Sequence, residues 1–320
     1  LNVSFKQKIE SDQTSENIEM IIPILYSCYS REKGAIPIFE ENLFVLDKNN
    51  KNLKIKLPFE KEAPVLSIFR RFSSPVVWES DLSIDDYLFL FLNDNDYFSR
   101  WDSGQFLMRE MIKNRLFNKA NSSLEDKFIF AIKQSMKSLE IKDPFFLATL
   151  LTTPGFAELE SLFEKVDPIN IYRKSLDFKV LIGKGILQEL RTLAYKLFVD
   201  IDHEWPEGKG QRKLLGTIWS YLTLAGDNNV KKNCVESINH SSMTISKAAL
   251  GALKPLDSVE TNEASNLFYN LWNDNAVVLD SWFAYEASRP NKQGIDVIEK
   301  LLSHPKFDWK APNAIRAVLG

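Results

Sequence analysis

The 320-residue chain predicts a mainly α-helical fold with a small all-β part in front of it. Its expected architecture is an Ig-like antiparallel β-sandwich followed by an irregular α-solenoid, superhelical in the armadillo or HEAT manner. Three observations predict this. Apolar residues alternate in short runs up to about residue 80; from Ser83 onward they recur at helical spacing; and between the two lies the stretch Phe72–Gln105, where one pattern gives way to the other. The expected boundary divides a β-sandwich domain at 1–80 from a helical domain at 81–320.

In chain order, Val3 and Phe5 share one face of a first strand, and Ile21–Tyr26 reads as a second. Gly34 supplies a turn. Phe44–Leu46 follows, then Leu53, Ile55 and Leu57 in period two, then Val65–Ile68 and Ser74–Trp78. Strands this short, with turn signals between them, favour an antiparallel sandwich. Prolines 23, 37, 58, 64 and 75 suit strand starts and edges.

Helix signals take over at Ser83-Ile84-Asp85-Asp86, where a hydroxyl and a carboxylate three residues apart can satisfy the free amides of a first turn. Ser123–Asp126 and Thr261–Ala264 offer comparable caps. Prolines 144, 154, 168, 206, 255, 290, 305 and 312 punctuate the apolar-periodic segments, as helix boundaries would. Segments of this length with short connections form antiparallel helix pairs, and no strict repeat signature is visible. Trp101, Trp219, Trp272 and Trp282 read as core aromatics.

Composition excludes several function classes. Forty Lys and Arg against 43 Asp and Glu leave a formal charge of −3, with no broad basic surface for nucleic acid or anionic lipid. Gly208–Lys213 reads as a solvated loop. No apolar run spans a membrane, and the N-terminus, which lacks an initiator Met, does not read as a signal peptide. Cys28 and Cys234 read as buried free thiols of a reducing, cytoplasmic compartment.

The sharpest local logic is at the switch. Asp94 and Asp96 precede a helix whose first turn holds Phe98–Trp101, so their carboxylates can accept its free amides. Arg100 and Asp102 flank Trp101 and can each pair with a neighbouring helix. Asp96, Arg100, Trp101 and Asp102 are therefore expected to form a structural clamp at the domain junction.

At these residues the chain resembles the M1 zinc aminopeptidases, specifically the bacterial aminopeptidase N branch. The matching segments are Arg70–Val76, Asn95–Asp102, Val166–Ile169, Val278–Ala284 and Pro312–Arg316, in the family's order and spacing. The resemblance implies the non-catalytic C-terminal portion of such an enzyme, continuing beyond Gly320 by some eighty residues and with the first strand of the sandwich lying before Leu1. It implies that this portion caps the active-site chamber and controls access of peptide substrates. Its partner would be the enzyme's own upstream catalytic domain.

Family members hold one zinc with H-E-x-x-H and a later Glu, the two imidazoles sharing a helical face and the intervening Glu serving as general base. This chain lacks that motif. His203-Glu204-Trp205-Pro206-Glu207 begins like it, but Glu207 stands at the second His and Pro206 would break the helix. His240 and His304 have no partner at ligand spacing and read as surface or loop residues. No catalytic residue, metal ligand or cofactor is expected in the chain, and Gly183-Lys184-Gly185 is too short to cradle a phosphate.

The residue expected to face the chamber is Arg316, whose cation could attract a peptide's carboxylate or carbonyls. The other reading of Arg316 is a structural salt bridge in its helix. An alternative function from a different class is a free-standing helical scaffold that binds a protein partner on its concave face.

Overall fold

Short alternating segments become strands here wherever a partner strand is in register. In the computed structural model the described residues are 1–8, 19–58, 62–139, 142–165, 167–199, 207–290 and 293–320. His203–Pro206, Val166 and the proline at 206 lie outside them. Strands β1 (Asn2–Lys6) and β4 (Asn50–Lys54) pair antiparallel, with Val3 opposite Leu53. Strands β2 (Ile22–Tyr29), β3 (Pro37–Leu46) and β5 (Val65–Ile68) form a second antiparallel sheet in the order β3-β2-β5.

Ile24, Leu46 and Phe69 fill the space against these strands, joined by Phe5, Phe44, Val76 and Trp78. Phe5 stacks on Phe44 with ring centroids 5.1 Å apart, which brings one face of each sheet together. The expected period of two is borne out at Leu53, Ile55 and Leu57, all half-buried between exposed lysines.

One expected strand is absent. Ser74–Trp78 alternates in burial, with Val76 inward and Val77 102% exposed, but it joins no ladder. Instead Ser74 donates its hydroxyl to the carbonyl of Pro23 at 2.6 Å, and Val76 N–H turns back to Ser74 O. Burial alternation alone thus gave a strand's pattern without a strand's hydrogen bonds.

Helices follow: α1 (Ile84–Asn93), α2 (Tyr97–Leu116), α3 (Ser122–Leu139), α4 (Pro144–Leu150) and α5 (Phe156–Glu160). Beyond these run α6 (Pro168–Gly185), α7 (Leu187–Val199), α8 (Lys209–Leu224), α9 (Asn228–Ser237), α10 (Met243–Leu253), α11 (Val259–Trp272), α12 (Ala276–Ala287), α13 (Gly294–Leu302) and α14 (Pro312–Leu319). Prolines 144, 168 and 312 each open a helix at its first position, where the missing N–H costs nothing.

Ser83 forms the expected capping box with Asp86. The other two caps sit earlier than their motifs suggested. Asn121 accepts the amide of Leu124 at the start of α3, and Ser258 caps α11, leaving Thr261 fully buried within it.

The chain packs as two units, Leu1–Lys137 with Thr153–Val166, and Ser138–Thr152 with Asp167–Gly320. In the first, α1–α3 and α5 pack together with the strands, so packing does not divide where secondary structure changes. Gly104 lets α2 approach α1 closely, since a Cβ there would lie 2.9 Å from the Phe91 ring. In the second unit α8 is central, with Leu214, Leu215, Ile218, Trp219, Tyr221 and Leu222 all buried. Its neighbours are α4, α6, α7, α9 and α10. Lys209–Lys213 belongs to the first turns of α8, with Arg212 buried, and is not the solvated loop expected from its charge. Trp219 is buried as expected, while Trp101, Trp272 and Trp282 are half-buried. Cys28 and Cys234 are buried and, among the described residues, in no disulfide. Among the described residues no helix is long and apolar enough to cross a membrane.

Candidate functional site at the strand-to-helix switch

The turn that follows β5 carries an unusual backbone. Phe69, Arg71 and Phe72 have φ of 55°, 54° and 55°, in the left-handed region that side chains with a Cβ avoid. This backbone turns Arg70 inward while Arg71 and Phe72 face out. Arg70 is only 5% exposed, and all three nitrogens of its guanidinium donate hydrogen bonds. It donates to Asp94 Oδ1 at 2.7 Å, to Glu41 at 3.0 Å, to Tyr29 Oη at 3.2 Å and to Asn95 Oδ1 at 2.5 Å.

Asp94 is 2% exposed and closes α1. Its Oδ1 also accepts the amide of Asp96 at 2.8 Å and lies 2.9 Å from the Tyr29 hydroxyl; its Oδ2 is buried without a partner. Burial opposes the Arg70 cation, but Asp94, Tyr29 and Glu41 outweigh it and hold it protonated. Burial, reinforced by the Asp94 charge, pushes the Tyr29 phenol up to about 12. One buried ion pair therefore ties β2, β3 and the turn after β5 to the α1–α2 connection.

The four expected junction residues lie around this hub. Asp96 caps α2 by accepting the Ser99 amide at 2.9 Å, and it also accepts the Arg71 amide at 3.1 Å. Arg100 is buried: its Nε donates to the carbonyl of Phe91 at 3.0 Å and its Nη2 to Ser135 Oγ at 3.1 Å, spanning α1 and α3. Burial pushes its pKa down. Trp101 packs on Phe98, whose ring lies 5.2 Å from that of Phe72. Asp102 accepts from the Trp78 side chain; burial raises its pKa, and Arg109 and that hydrogen bond oppose the shift. Asp94, expected as an acceptor for the first turn of α2, reaches only the amide of Asp96 there and serves chiefly as the partner of Arg70.

Beside the hub is a groove of about 660 Å³ with Glu41, Arg70, Arg71, Asn95 and Asp96 in its walls. Arg316 lies on α14, exposed, and among the described residues no carboxylate pairs with it. Among the described residues no three of His, Cys, Asp and Glu converge as metal ligands.

Comparison with known proteins assigns this arrangement. Residues 84–320 match a family model described as a domain of unknown function with ARM repeats (DUF3458_C), and residues 1–81 match its companion, DUF3458, of Ig-like fold. The chain belongs to this family. The DUF3458 chain is 28% identical over 277 residues to aminopeptidase N of Caulobacter vibrioides, covering 81% of this chain and 30% of the relative. It is 26% identical to aminopeptidase N of Escherichia coli over 342 residues, covering all of this chain and 37% of the relative.

It therefore spans about a third of the length of these curated relatives. The crystal structure of Legionella pneumophila aminopeptidase A in complex with aspartic acid shares the fold. Its TM-score is 0.81 at 22% identity, over 94% of this chain and 36% of that one. The expected Ig-like part followed by an ARM-repeat part, within an aminopeptidase family, is borne out.

Proposed function

We propose that this chain is the non-catalytic C-terminal portion of a zinc aminopeptidase of the M1 type, and that its helices cap the chamber in which N-terminal residues are hydrolysed. The observation that carries this reading is the paired match to DUF3458 and DUF3458_C within relatives named aminopeptidase N, of which the chain spans 30% to 37%. The described residues offer no zinc site, and the sequence holds no H-E-x-x-H, so no step of the hydrolysis is assigned to them. Zinc would be held by the upstream catalytic domain, which is the proposed partner.

In this reading the buried Arg70–Asp94 pair, with Asp96, Arg100, Trp101 and Asp102 around it, fixes the first helices to the β-sandwich. The helices beyond restrict which substrates reach the metal, admitting peptides and excluding folded chains. Both thiols are buried and in no disulfide, in keeping with a reducing cytoplasmic setting. Arg316 is the residue of this chain proposed to meet the substrate: its guanidinium is exposed, and such a group can bind a peptide's terminal carboxylate.

Kinetics of the full-length enzyme test this. Arg316→Ala should raise KM for peptides several-fold while leaving a single-residue chromogenic substrate unchanged. Equal effects on both substrates, or none, would refute the chamber role of Arg316.

A further inference from the structure

The last helices meet around a histidine that the proposed chemistry does not use. His304 sits in the turn between α13 and α14, half-buried, with its ring against Tyr269 of α11 (centroids 5.6 Å apart) and against Trp282 and Phe283 of α12 (5.7 and 5.4 Å). Both ring nitrogens are engaged. Nδ1 accepts the backbone N–H of Lys306 at 3.1 Å, so it carries no proton. The neutral ring must then be the Nε2–H tautomer, and that N–H donates to the Tyr269 hydroxyl at 3.2 Å.

The same turn delivers Phe307, packed edge-on against Phe283 at 5.4 Å, into the core that α12 shares with Leu301 of α13 and with Ala314 and Val318 of α14. Two of the ionisable groups around the imidazole are Tyr269 and Lys306; the Lys306 ammonium is held in turn by Asp274 at 2.7 Å, just past α11. From α12 the ring meets the aromatic groups of Trp282 and Phe283. Among the described residues Lys306 is the charge that acts on it, and no carboxylate offsets it.

We infer that His304 is an acid-sensitive latch: the neutral imidazole holds the α13–α14 turn closed, and protonation releases it. A proton on Nδ1 turns the acceptor of the Lys306 amide into a second donor facing a donor, beside an ammonium and inside an aromatic wall. In the open turn the imidazole titrates as a free one. Burial and Lys306 lower its affinity for a proton when closed. Closure is therefore complete above the free-histidine pKa of about 6.5 and weakens as pH falls below it, by up to about tenfold in the opening constant per pH unit.

Hydrogen exchange of the intact protein between pH 7.5 and 5, corrected for the intrinsic rate, tests this. Amides of α13 and α14 should lose protection progressively as pH falls below about 6.5, by at most about tenfold per pH unit, while those of α8 hold theirs. His304→Asn keeps an acceptor at the Nδ1 position but cannot titrate, and should flatten the profile. A flat wild-type profile, or the same loss in His304→Asn, would overturn the latch. Nitrogen NMR of the wild-type imidazole decides independently of the variant's folding. The Nε2–H tautomer with a midpoint below about 6.5 is expected; the Nδ1–H tautomer, or a midpoint at or above that value, would overturn it.

Discussion

Arg70 and Asp94 join the turn after β5 to the end of α1 through a buried ion pair. Both are withdrawn from water, so the energetic question is what remains when one is removed. Asp94→Ala leaves a guanidinium buried beside Tyr29 and should cost about 3–5 kcal/mol in a urea titration. Arg70→Met with Asp94→Leu removes both charges and should cost clearly less, because no charge is stranded. Little of this pair was legible in advance. Asp96 could be read as a cap because donor and acceptor lie three residues apart. Separations of 24 residues from Arg70 to Asp94, and of 65 from Tyr29 to Asp94, carry no local signal. The one available hint was an apolar β2 ending on a tyrosine, whose hydroxyl needs a buried partner.

For single elements, local chemistry decided most assignments, and the errors have identifiable causes. The capping box at Ser83 and the prolines at first helical positions were readable because their physics is confined to one turn. The cap of α3 fell to Asn121 and that of α11 to Ser258, since several hydroxyl or amide side chains compete there and tertiary packing chooses between them. The strand expected at Ser74–Trp78 failed because no neighbouring strand offers it a ladder. The 3₁₀ turn Arg70–Phe72 was not foreseen, as nothing about Phe69, Arg71 and Phe72 announces positive φ. That turn gives a direct test. Arg71→Gly relieves a left-handed backbone and loses one largely solvated ion pair with Glu41, so it should stabilise the protein by roughly 0.5–1 kcal/mol in thermal or urea unfolding.

Taken whole, the chain shows why fold was more legible than site. Periodicity of two and of 3.6 is repeated over many residues, so strand and helix regions announce themselves. The grouping of α1–α3 and α5 with the strands does not, because it depends on which faces meet. His304 makes the same point: a single histidine in a loop read as a surface residue, yet two helices, α11 and α12, set three aromatic rings against it. The functional reading rests on the family and on the third of its aminopeptidase relatives that this chain spans. Its most direct test is zinc-dependent hydrolysis of an alanyl chromogenic substrate, by this chain alone and mixed with the separately produced upstream portion. Activity in the mixture and none in either half is the result this account predicts. Activity of this chain by itself would contradict it, since the chemistry would then reside where no zinc ligands were assigned.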